Sequence, residues 1–193
     1  MALINIPSTG IWSTIATALN SMFSELFTRR NYGIYNYDDA GTGISPIVMT
    51  NAETWYPLTN DENGPQTLKF PLAGISDIWS PVTGAFDFSG LENGDSIDIR
   101  LDVIVITTGA NQDVTISLFL ADDQGVSIEI PFIVEQAFKA AGSHRVVRFN
   151  SNFLGADFTR LNQARFKAKS SSAGNSIIVN GWYCRVMPAR VSV

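Results

Sequence analysis

The segment Asp95-Ser-Ile-Asp-Ile-Arg-Leu-Asp-Val-Ile-Val-Ile-Thr107 alternates strictly, with Ile97, Ile99, Leu101, Val103 and Val105 all on one side. A period of two sends neighbouring side chains to opposite faces of a sheet, so this stretch is predicted to be a β-strand with one face in a core. Its other face carries Asp98, Arg100 and Asp102 and then Ile104 and Ile106, which predicts a strand passing from half exposed to buried on both sides. One such strand needs partners. Turn residues at 109–111 and 122–125 separate it from apolar-alternating segments at 113–121 and 126–130, a hairpin pattern. Further strands are expected at 54–58, 67–70, 85–88, 144–149, 164–169 and 176–186, with a brief helical turn at 137–142. Short strands at this spacing predict a mainly β fold, an antiparallel β-sandwich of jelly-roll type. The 15 Gly and 8 Pro fall between apolar runs, as turn punctuation does.

Ahead of the strands the pattern changes. Ser8-Thr9-Gly10 offers an N-cap, and Ile11, Trp12, Ile15, Leu19, Met22, Phe23, Leu26 and Phe27 recur at spacings of three and four. This predicts a short amphipathic α-helix within residues 1–30. Arg29 and Arg30 close it, where the helix dipole favours cations. The polar side of this helix is Ser, Thr and Asn, almost without charge, so the helix is expected to dock rather than face water. We assign residues 1–30 to an N-terminal anchoring helix, 31–53 to a linker rich in Gly, Tyr, Asn and Asp, and 54–193 to the sandwich. No stretch has the length of a membrane span, and the opening residues lack the basic start of a secretory signal.

Charged residues are only 16% of the chain, which leaves much uncharged surface for partners to cover. The net charge of −5 argues against nucleic acid as a partner, because a phosphate backbone calls for a basic surface. The charges are also unevenly distributed. Residues 1–143 hold 17 acids and 5 bases, net −12, whereas residues 144–193 hold one acid and 8 bases, net +7. Two explanations stand: the late strands neutralise the early ones inside one subunit, or the two sets pair between subunits. On the second, Arg165, Lys167 and Lys169, which alternate along one strand face, meet Asp98 and Asp102 of a neighbouring copy. On the first, the same stripe is an edge strand kept from unwanted pairing by its charge.

The residues offer little chemistry. His144 is the single histidine and Cys184 the single cysteine, so neither a disulfide nor an ordinary zinc site can be assembled. No Gly-x-Ser-x-Gly elbow and no phosphate-binding glycine loop is present. The acidic turns at 60–64 and 122–123 do not match a calcium loop. We therefore expect no cofactor, no metal and no enzyme activity. Cys184 and the tryptophans Trp55, Trp79 and Trp182 are expected in the core or at subunit contacts.

An apolar N-terminal segment followed by a compact sandwich, with Trp79-Ser-Pro-Val-Thr-Gly-Ala-Phe-Asp-Phe-Ser89, Gly94-Asp-Ser-Ile-Asp-Ile-Arg-Leu-Asp-Val103 and Gly181-Trp-Tyr183, resembles the trimeric jelly-roll modules of tailed-bacteriophage virion proteins. These include capsid decoration proteins, head fibres and tail-fibre tips. The resemblance implies a homotrimer at the virion surface, fastened through its N-terminal segment to the major capsid protein or another virion protein. It also implies an alternative, a tail-fibre tip that binds a host receptor or glycan. A polysaccharide-acting sandwich enzyme is the reading from a different class, and it would need a close pair of carboxylates in a deep groove.

Overall fold

The structure, a computed structural model, describes Ile15, Thr17, Leu19 and residues 32–189. The chain divides into two compact units, Met1–Asn31 and Tyr32–Val193. In the first unit Ile15, Thr17 and Leu19 are α-helical and exposed. Ile11, Trp12, Met22, Phe23, Leu26 and Phe27, assigned to the anchoring helix, lie outside the described residues.

The second unit is the expected antiparallel β-sandwich. One sheet runs β10 (Gly142–Phe153), β7 (Ser96–Thr107), β12 (Asn175–Met187), β1 (Gly33–Asp38), β4 (Leu68–Phe70), with β2 (Ile47–Met49) beside the start of β12. The other runs β3 (Tyr56–Pro57), β11 (Arg165–Ser170), β8 (Gln112–Leu120), β9 (Ile128–Phe138). A small hairpin, β5 (Trp79–Ser80) with β6 (Ala85–Phe86), and two single-turn helices, α1 (Gly41–Ile44) and α2 (Asp157–Arg160), complete the unit.

The predicted inward face of β7 is the floor of the core: Ile97, Ile99, Leu101, Val103 and Val105 are all buried. β12 adds Ile177, Val179, Trp182, Cys184 and Val186, and the facing sheet adds Val114, Ile116, Leu118, Phe166 and Ala168. Four aromatic rings bind the layers together. Trp182 lies 4.5 Å from Trp79 and 5.6 Å from Phe166, and Phe86 lies 4.9 Å from Trp79, in tilted or edge-on arrangements. Fully burying a large apolar side chain is worth about 2 kcal/mol, so this centre is a main source of stability. Burial also pushes the Cys184 thiol well above its ordinary range, which keeps it protonated and inert.

Two expectations are corrected. Within the stretch assigned as a linker, residues 33–38 form β1, hydrogen-bonded between β12 and β4, with Tyr35 and Tyr37 fully buried. Burial is tolerated because both phenols find partners. Tyr35 donates to the Ile75 carbonyl at 2.8 Å and accepts from the Leu72 N–H at 3.2 Å. Tyr37 donates to Asp77 at 2.5 Å and accepts from the Ile78 N–H at 3.1 Å. Two glycines make room for this strand. A Cβ on Gly181 would sit 2.5 Å from the Tyr37 carbonyl oxygen, and one on Gly64 would sit 2.3 Å from the Asp38 Cβ. The helical turn expected at 137–142 is instead the end of β9, a tight turn and the start of β10. Phe138 is held there by the core, with the His144 ring 4.8 Å away.

Candidate functional site

The five charged residues singled out in the sequence fall on opposite outer faces of the sandwich. Asp98 and Asp102 lie on the outer side of the six-stranded sheet, yet both are buried, at 3% and 6% exposure. The predicted passage from half exposed to buried on both sides is not seen, since Arg100 is exposed between the two aspartates and Ile104 and Ile106 are partly exposed. The cause is cross-strand pairing. Asp98 accepts two hydrogen bonds from Arg185 of β12, at 2.5 and 3.0 Å, and one from Ser151 of β10 at 2.5 Å. Asp102 accepts two from Arg145 of β10, at 2.6 and 3.1 Å, and one from Asn180 at 2.8 Å. Asn180 reaches it from a bulge, where the register of β12 against β7 shifts between Val179 and Gly181. Burial alone would raise the Asp102 carboxyl; the bonds from Arg145 and Asn180 outweigh it and hold the group below the usual carboxylate range.

Arg165, Lys167 and Lys169 point outward from β11, while Phe166, Ala168 and Ser170 point into the core. These cations also have partners in their own chain. Arg165 and Lys167 share Asp122 at 3.2 and 2.5 Å, and Lys169 lies 3.5 Å from Glu53. β11 is not an open edge, because β3 pairs with Lys167 and Ala168. All five residues thus have intrachain partners.

Beside β11 is a groove of about 440 Å³ lined by Trp55, Pro57, Val82, Asp122, Arg165 and Lys167 among others. Trp55 is half-buried, edge-on to Phe119 at 4.8 Å and covered on its ring by Lys169 Nζ at 5.2 Å. An indole beside hydrogen-bonding groups suits a flat, hydroxyl-rich ligand. The sequence pointed to Trp55 but not to the groove, since its lining comes from four separate segments. Trp79 and Trp182, in contrast, are core residues.

Elsewhere the chemistry is sparse. His144 Nε2 is 3.0 Å from the carbonyl oxygen of Ala140, in the turn before β10, and 3.4 Å from Oγ1 of Thr107 at the end of β7. A smaller cavity of about 160 Å³ gathers Glu53, Asp113 and Glu135 around Lys169. Among the described residues no group of three His, Cys, Asp or Glu is placed to hold a metal ion. Nor is any helix among them long and apolar enough to cross a membrane.

No known protein family matches the chain, and no curated protein does. Solved structures give distant likenesses. The Eiger TNF structure from S. frugiperda is 10% identical, with a TM-score of 0.40, over 85% of this chain and 98% of that one. The CBM22-1 xylan-binding domain of Paenibacillus barcinonensis Xyn10C is 12% identical, with a TM-score of 0.38, over 75% and 94%. The infectious bursal disease virus VP2 subviral particle is 8% identical, with a TM-score of 0.37, over 82% and 52%. The chain spans only 29% and 33% of the matched chains from the Gx and Gt strains of that virus.

Proposed function

We propose that this chain is a structural virion protein of a tailed phage, of the capsid decoration or head-fibre type. It assembles as a homotrimer, fastens to the major capsid protein or another virion protein through its N-terminal segment, and projects its sandwich from the virion surface. It is not an enzyme. The observation that supports assembly best is how much large apolar side chain the sandwich leaves uncovered on strands of its six-stranded sheet, above all Phe149 and Phe153. Monomeric proteins seldom display such side chains together unless something covers them. The attachment half of the reading draws on the helix that includes Ile15 and Leu19, both exposed.

Ile15→Asp with Leu19→Asp in the full chain tests attachment. The variant should keep its fold and its oligomeric mass but no longer sediment with phage particles. Undiminished co-sedimentation would overturn the anchoring role.

The groove beside Trp55 favours a second reading, a tail-fibre tip that recognises a host glycan. The part of the indole that Lys169 and Phe119 leave open to the groove would pack against a sugar ring while Asp122, Arg165 and Lys167 bind hydroxyls. A glycan array should then show binding that Trp55→Ala removes at least tenfold, and an array without signal would retire this reading.

A further inference from the structure

We infer that the outer face of the six-stranded sheet is the surface through which copies of this chain meet. The inference rests on the assembly reading above and names the surface that reading requires.

The register of the sheet lays out the face in rows. Phe149, Arg100, Tyr183, Asn36 and Leu68 run side by side across β10, β7, β12, β1 and β4. The next rows hold Ser151, Asp98, Arg185 and Ile34, and then Phe153, Ser96 and Met187. On the other side of the first row, Val147 lies opposite Asp102. Apolar side chains therefore flank a central polar strip. Their exposure is large: 76% for Phe153, 61% for Phe149, 54% for Leu68 and 43% for Val147.

Charge selects the occupant. The face holds three arginines, Arg100, Arg145 and Arg185, and three aspartates, Asp38, Asp98 and Asp102, so it is formally neutral. Asp98 and Asp102 are bonded to Arg185 and Arg145, and Arg100 lies over the Tyr183 ring, its guanidinium carbon 5.9 Å from the ring centre. The chain as a whole carries −5, so two copies repel over most of their surfaces. A balanced face is where they can approach without opposing like charges, and a strongly charged partner would find nothing there to neutralise.

Size agrees. The twelve residues of β7, at about 3.3 Å each, by five strands about 4.8 Å apart give a face on the order of 750 Å². A standard stable interface takes about 800 Å² from each partner.

The test is light scattering on the full chain at micromolar concentration. Phe149→Glu with Phe153→Glu, and separately Leu68→Glu at the other edge of the face, should each shift the mass from the native oligomer to the single chain with the circular dichroism unchanged. Val82→Glu, an exposed position lining the groove beside β11, should leave the oligomer intact. If both face variants stay folded at the native mass, the surface is wrong while assembly stands. If the double variant fails to fold, Leu68→Glu decides alone. A native chain at single-chain mass overturns both the surface and the assembly reading.

Discussion

The two outer faces of this sandwich are built from the same kind of strand and finished differently. On the four-stranded sheet, β11 and β8 turn outward Arg165, Lys167, Lys169 and Asp113, with Thr115 and Ser117 buried between them, and β9 leaves Ile128 and Val134 exposed at the edge. Its one outward aromatic on β8, Phe119, is buried beside Trp55. On the six-stranded sheet the carboxylates are buried beneath their arginines, and Phe149, Phe153, Val147 and Leu68 remain exposed. Water meets mainly cations along β11 on the first face. It satisfies the second poorly, because apolar surface left in water gains by being covered. On the proposed reading the two sides take separate tasks, polar recognition on one and association on the other.

The contrast can be broken at its ion pairs. Asp98→Ala should have the largest effect, about 2 kcal/mol in chemical denaturation, since it removes three charge-assisted hydrogen bonds made by a carboxylate only 3% exposed. Asp122→Ala on the other side should cost less, about 1 kcal/mol. There Arg165 keeps its bonds to Gln163 and the Thr83 carbonyl, and Lys167 keeps its place over the Phe119 ring. Equal losses would show that the two faces are held by charge to the same degree. The smallest effect concerns acid. The folded Asp102 carboxyl titrates below its unfolded value of about 3.9, so it contributes stability above that pH and loses it as pH falls through the folded value. Thermal melts should therefore decline below about pH 4 in the native chain, and less steeply in Asp102→Asn. An unchanged slope would mean that Asp102 takes no part in acid unfolding.

What could be read from the sequence, and what could not, follows from the range of each interaction. Ile97 through Val105 announce their core face because alternation is local, and the burial of Cys184, Trp79 and Trp182 follows from side-chain type. Tyr35 and Tyr37 were hidden among Gly, Asn and Asp, whose composition resembles a linker. Only the segment 72–78, far along the chain, supplies the bonds that let them be buried. Asp98 and Asp102 looked exposed because their arginines stand 87 and 43 residues away. The charge imbalance between the two parts of the chain was visible from composition, and it is in part discharged by these pairs inside the subunit. The outer apolar face could not be found by period alone, since Phe149 and Leu68 are placed at opposite edges of one face only by the strand order β10-β7-β12-β1-β4.

A cryo-EM map of the assembled full chain tests the central claim most directly. The account predicts that neighbouring copies meet across the six-stranded sheets, with Phe149 and Phe153 buried between them and the groove beside Trp55 open. Copies joined through the β11 face, or a particle in which both phenylalanines remain in solvent, would contradict it.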